Sequence, residues 1–197
     1  MIPYQVPGAP DTKVVPTYQV KTDLGSRVSR LNASWTQDAS TFDSDAAFAR
    51  ASQLAGEEFT YFASDAVRSW LPARRLVEEA LRERKSGHDE ILVLSQMCPW
   101  IDHLFQLEPQ FRTEVKYVVF ADSNSGYRVR AVPVASGSFE SRLALPEKWR
   151  GLRDGDLDTF LDIKGAVFVH ASGFIGGHRT LEGALHMAQK ALGDQKQ

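Results

Sequence analysis

The densest chemistry in the sequence lies at VHASGFIGGHRTLEGAL, residues 169–185. An apolar lead, a glycine pair and helical periodicity after Thr180 read as strand, glycine-rich turn and helix N-terminus. Such a turn exposes backbone N–H groups, and the helix dipole favours an anion beside them. Gly176 and Gly177 allow close backbone approach, His178 and Arg179 add side-chain donors, and Thr180 can both cap the helix and donate to a phosphate. A phosphate or nucleotide backbone suits this set. The plainer alternative is a tight strand–helix turn in which the glycines serve geometry alone. The ligand reading requires the turn's N–H groups to face open space. It also requires His178 to be partly exposed, near Arg179 or one of Arg142, Arg150 and Arg153.

Those three arginines belong to a second cluster. Between Arg128 and Arg153 stand six basic residues (Arg128, Arg130, Arg142, Lys148, Arg150 and Arg153) against Glu140 and Glu147, with Trp149 among them. Arginine beside an aromatic ring is a vocabulary for phosphate and base stacking; a solvated basic loop is the alternative. Cys98, in CPWIDH, has His103 close in sequence and His170 available further on. A thiol nucleophile needs a base and an orienting group, and no spacing here requires them to meet; a free cysteine is usually a small buried hydrophobe. DGDLD at 154–158 fails as a calcium loop, because its sixth and twelfth places hold Thr159 and Gly165 where glycine and glutamate are needed.

The elements that must position these residues follow from periodicity and punctuation. Residues 1–20 carry Pro3, Pro7, Pro10 and Pro16 and read as an extended linker. Residues 21–197 read as one domain. Loop or a short helix is expected over 22–35. Ser44 or Asp45 can cap a helix running to about Val67, with Phe48, Ala51, Ala55, Phe59, Phe62 and Ala66 on one apolar face. A second helix is expected from Pro72 to Lys85, with Leu76, Ala80 and Leu81 inward and Gly87 as its stop. ILVL at 91–94 reads as a strand, and 99–107 as helix or loop. VKYVVFAD and YRVRAVPV flank SNSG at 123–126 as a β-hairpin. GAVFVHA at 165–171 is a further strand, and a last helix runs from Thr180 to Gly193. This order predicts an α+β fold with a mixed or antiparallel sheet and helices packed on it.

The chain has 197 residues, 43% hydrophobic and 24% charged, with a net charge of −2. That excludes a histone-like basic protein, though not a local basic face. One cysteine excludes a disulfide framework and a four-thiolate zinc site. No apolar run reaches the length of a membrane span, and residues 1–10 lack the pattern of a signal peptide.

Several stretches together resemble the C-terminal half of the MYG (melanocyte proliferating gene one) family. They are TDLGSRVSRLN (22–32), SWLPARRLVEEAL (69–81), CPWIDHLFQLE (98–108), VRAVPVASGSFESRLALPEKWRGLRD (129–154) and VFVHASGFIGGHRTLEGALHMAQKAL (167–192). The resemblance implies a relative of the DHH phosphoesterase superfamily and a metal-dependent 3′–5′ RNA exonuclease, placed in the nucleus and mitochondrion of eukaryotes. It implies two lobes. An N-terminal lobe binds divalent metal, commonly manganese, through Asp and His. A DHH-associated C-terminal lobe holds substrate through a Gly-Gly-His motif, here Gly176, Gly177 and His178. The Asp-His-His signature is absent from this sequence, so the resemblance implies a substrate-binding lobe, inactive alone, whose partners are RNA and the missing lobe. A stand-alone interaction module, or a cysteine-dependent hydrolase, remains the alternative.

Overall fold

β-Branched and aromatic runs build a five-stranded sheet in the computed structural model, which describes residues 21–38, 40–84, 90–123 and 126–194. The linker expected over 1–20 and the helix stop expected at Gly87 lie outside these residues. The chain divides into two compact units between Ala63 and Ser64.

The first unit holds one helix and all but the last two residues of a second. α1 (Leu24–Ser29) starts at Asp23, whose carboxylate accepts the Ser26 N–H at 2.9 Å. α2 (Ser44–Asp65) starts from Asp43, which accepts the Ala46 N–H at 2.9 Å; the expected caps Ser44 and Asp45 fall inside the helix. Arg27 pairs with Glu58 and so ties the two helices together. The apolar face expected on α2 is not a core face. Phe48, Phe59 and Phe62 are 63–75% exposed, while Ala47, one residue off that stripe, is buried. Helical periodicity marks a face but does not say what covers it.

In the second unit a π-helical turn (Ala66–Trp70) runs directly into α3 (Leu71–Glu83); the Leu71 N–H reaches back to the Ala66 carbonyl, and Pro72, which has no N–H to give, follows where the α-helical ladder is already interrupted. Then follow β1 (Ile91–Val93), α4 (Ile101–Phe111), β2 (Tyr117–Ala121) and β3 (Tyr127–Ala131). After a long irregular segment come α5 (Asp154–Leu161), β4 (Ala166–Val169), β5 (Ile175–His178) and α6 (Leu181–Asp194). The sheet order is β1-β2-β3-β5-β4. β1 and β2 are parallel and the other pairs antiparallel. The fold is therefore α+β with a mixed sheet, and the 115–134 hairpin is present. The departure is at 175–178. Those residues were expected in a turn, yet they form a strand inserted between β3 and β4.

Period-two alternation gives the sheet two apolar faces with separate cores. Tyr117, Val119, Val129, Ala131 and Val169 pack with Leu145, Trp149 and the α5 and α6 residues Leu157, Leu161, Ala184, Met187 and Ala188. Leu92, Val118 and Phe120 face the other way, toward Val77 and Leu81 of α3 and Leu104 and Leu107 of α4. α4 is fixed to the sheet by a nearly buried ion pair. Arg142 donates to both Glu108 oxygens, at 2.6 and 2.8 Å, and to the Val115 carbonyl at 3.0 Å. Glu108 also accepts the Val115 N–H at 2.7 Å.

Removing one member of such a pair leaves a buried charge without a partner. Glu108→Ala is expected to destabilise the chain by about 3–5 kcal/mol, as a lowered urea midpoint measured on the purified protein. A shift below about 1 kcal/mol would mean that the pair contributes no more than an exposed one.

Candidate functional site

Alternation along β5 sends the glycine–glycine–histidine segment to opposite faces. Gly176 faces α6: a Cβ there would meet Leu145 Cδ1 and Met187 Sδ, both at 3.0 Å. Gly177 faces the other side, and His178 returns to the α6 side, where it is fully buried. The His178 ring lies against the start of α6, where a Cβ on Gly183 would overlap the imidazole. Its Nδ1 accepts the Thr180 N–H at 3.1 Å, and the Thr180 hydroxyl lies 3.2 Å away. Its Nε2 is buried with no hydrogen-bond partner among the described residues. The expected exposure of His178 is therefore corrected: the segment is a mid-sheet strand, and its N–H groups lie along ladders with β3 and β4 rather than facing open space. Thr180 does cap α6, its Oγ1 accepting the Gly183 N–H at 3.1 Å.

The Gly177 side is chemically different. Strand register places Phe120, Arg128, Gly177 and Phe168 in one row across β2, β3, β5 and β4. The next row carries Val118, Arg130 and Ile175. α3 and α4 pack over the Val118–Phe120 end. Beyond it the face is arginine and aromatic. The Arg128 guanidinium lies 5.3 Å from the Phe168 ring centre, and Arg153 lies 5.8 Å from the same ring. Arg130 lies 6.0 Å from the Trp100 ring and 5.8 Å from that of Phe174. Arg128 is also paired with Asp122. Arg130 and Arg153 have no carboxylate partner among the described residues. Gly177 makes the arrangement possible, because a Cβ there would sit 2.5 Å from Arg128 Nη1 and 3.2 Å from Phe168 Cε1. Neither Gly176 nor Gly177 has a positive φ; what both positions need is space.

Of the eight residues singled out in the sequence, His178 and Thr180 meet through their hydrogen bond, and Gly177 and Arg153 both border the Phe168 ring. Arg179 and Thr180 are exposed at the α6 start. Arg142 is held by Glu108, and Arg150 donates through Nε to the Leu145 carbonyl at 3.0 Å, bracing the Gly173 turn. Arg128, Arg130, Phe168 and Phe174 were not assigned a site role in the sequence, although Arg128 and Arg130 were counted in the basic cluster. The alternation YRVRA of β3, charged on one side and apolar on the other, was the signal.

Two other chemistries find little support. Cys98 is buried, and burial pushes its thiol pKa up, away from the reactive thiolate. His103 is hydrogen-bonded through Nε2 to the Trp70 carbonyl at 2.7 Å, and His170 is exposed and bonded to Ser172. As for divalent metal, no three His, Cys, Asp or Glu side chains gather among the described residues.

A family model described as an uncharacterised protein family (UPF0160), with the short name MYG1_exonuc, matches residues 6–192. The human protein named MYG1 exonuclease is 48% identical over 184 residues, covering 90% of this chain and 48% of its own length. The mouse protein of the same name is 47% identical over 182 residues, with 90% and 47% covered. A Dictyostelium discoideum MYG1 protein is 44% identical over 183 residues, with 91% and 56% covered. The chain thus spans about half the length of the curated relatives it matches. No solved structure matches it.

The two glycines against side chains should behave differently when filled. Gly183→Ala forces a fully buried ring to move and is expected to cost more than about 2 kcal/mol; Gly177→Ala displaces the far end of Arg128 and presses on the edge of the half-buried Phe168 ring, so it should undo the arginine surface at a smaller cost, about 1 kcal/mol. Equal losses in thermal or urea unfolding would contradict this packing. Burial also holds the His178 pKa below its ordinary 6.5. The folded state therefore prefers the neutral ring, and the unfolded chain takes up a proton first on acidification. This stabilisation is complete above about pH 6.5 and declines as pH falls from there toward the folded value. The urea midpoint should drop between about pH 7.5 and about pH 5.5, and drop less in His178→Gln.

Proposed function

The chain belongs to the MYG1 exonuclease family (UPF0160), and on that premise we propose that it is the substrate-holding part of a phosphodiester-cleaving nuclease. In this reading its ligand is a single strand of RNA. The observation that carries the proposal is the row Arg128–Gly177–Phe168, with Arg153 and Arg130 beside it. Guanidinium groups held over aromatic rings present both a phosphate donor and a stacking surface. The missing side chain at Gly177 keeps the middle of the surface low. Arg179 and Thr180, expected to assist, are proposed to extend the surface past the end of β5, near the positive end of the α6 dipole.

The division of labour is also a proposal. Hydrolysis and the divalent metal, manganese by the family resemblance, would belong to the portion of the longer relatives that this chain does not span. That portion would be a partner lobe in the whole protein, with RNA as the second partner. Nucleus and mitochondrion are the compartments proposed on the same resemblance. Among the described residues no helix is long and apolar enough to cross a membrane. The alternative, an interaction module without a nuclease role, makes the arginines a protein-docking surface.

Binding of a short labelled single-stranded RNA tests the proposal. Charge-assisted contacts contribute roughly 1.5–3 kcal/mol each, so Arg153→Ala and Arg130→Ala are each expected to weaken affinity about 10–100-fold. Each should also reduce the slope of log affinity against log salt by about 0.7. Unchanged affinity in both, with Arg179→Ala also silent, would leave the interaction-module reading. A second expectation concerns turnover. The purified chain with manganese should not cleave RNA; cleavage that a chelator abolishes and that persists through repurification would place a catalytic centre within it.

A further inference from the structure

Beside Arg130 the surface opens into a cleft of about 260 Å³. Its apolar walls are Trp70, Cys98 and Trp100, and its polar edge is made by Arg130, Asp102 and Ser136. We propose that this cleft takes one unpaired nucleobase of the bound strand, so that the chain selects single-stranded over paired nucleic acid. The inference deepens the strand-binding proposal and rests on it.

Three observations carry it. First, the size is right for a single planar ring system. Pockets for drug-sized ligands occupy roughly 300–1,000 Å³, so 260 Å³ admits one base and not two stacked nucleotides. Second, the chemistry of the walls matches. Indole rings and a protonated thiol offer an apolar slot, while Asp102 and Ser136 offer hydrogen-bonding groups to a base edge. They are already bonded to each other, Ser136 Oγ donating to Asp102 Oδ1 at 2.5 Å, which holds the edge in place and leaves Oδ2 as an acceptor. Third, Arg130 is a half-buried cation between the Trp100 and Phe174 rings with no carboxylate partner among the described residues. A partly desolvated charge left in this state is costly, and ring faces offset only part of the cost. An incoming phosphate completes its pairing, and the attached base then lies at the cleft mouth.

The register of β3 connects this cleft to the rest of the face. Arg128 and Arg130 are two residues apart and point the same way, roughly 7 Å from one another along the strand. That is close to the spacing of successive phosphates in an extended single strand. A duplex cannot use the cleft without unpairing a base, which costs a few kcal/mol. Because every base has a π-face, the subsite should discriminate weakly among bases.

The test uses the full chain, a short intact RNA oligomer, and a set of the same oligomer in which a single abasic residue is moved along the strand. One abasic position should weaken binding about tenfold, and the others much less. Ser136 is exposed, so Ser136→Leu can narrow the cleft without disturbing the core. That variant should bind the intact oligomer about tenfold more weakly and the position-matched abasic oligomer as well as the unaltered chain does. Equal binding of all abasic oligomers, with Ser136→Leu binding the intact oligomer as the unaltered chain does, would overturn the subsite. If Arg153→Ala still weakened binding in that case, the strand-binding face would stand without it. Failure of the chain to bind any oligomer would overturn both.

Discussion

The exposed half of the sheet depends on one missing side chain. At Gly177 a single Cβ would stand 2.5 Å from the Arg128 guanidinium and 3.2 Å from the Phe168 ring. Without it, Arg128 can lie across β5 and reach Phe168 on β4, two strands away. Arg153 then shares the same ring. A glycine usually weakens a strand, since it packs nothing and loses more backbone freedom on folding. Here β3 and β4 flank it on both sides, and the core on the α6 side is continuous, so the weakness is absorbed by the neighbours.

The same strand performs a second task on its other face. Gly176 leaves room for Leu145 and Met187, and His178 fits over Gly183 at the start of α6. Thr180 holds the His178 imidazole through Nδ1 and caps the helix at once. The segment IGGHRT thus couples three things over a few residues: the height of the arginine surface, the core beneath it, and the direction in which α6 leaves. A histidine in this motif is a packing element, and the exposed chemistry passes to its neighbours across the strands.

Much of this order was legible in the sequence, and the misses have physical reasons. The hairpin over 115–134, the strand after 165 and the capped last helix followed from alternation and from Thr180. IGGH lacked the β-branched content of a strand, so its glycines read as punctuation; only pairing on both sides makes it one. Arg142 and Arg150 looked like surface cations because charge alone carries no sign of a buried partner such as Glu108, 34 residues earlier. Phe48, Phe59 and Phe62 looked like core because periodicity cannot name what they would pack against. The family was legible from ordered blocks of residues, whereas the arginine–aromatic surface was not. Its members come from β3, β4, the turn after β4, and the start of α5, and only the sheet register assembles them.

In the function proposed above, one face of β3-β5-β4 holds a nucleic-acid strand. The Nε–Hε resonances of the arginines, followed by NMR as a single-stranded RNA oligomer is added, test it most directly. The account predicts shifts at Arg128, Arg130 and Arg153, with Arg142 and Arg150 unmoved because Glu108 and the Leu145 carbonyl already hold them. Saturable shifts confined to arginines of α2 or α3, with Arg128, Arg130 and Arg153 unmoved, would contradict it.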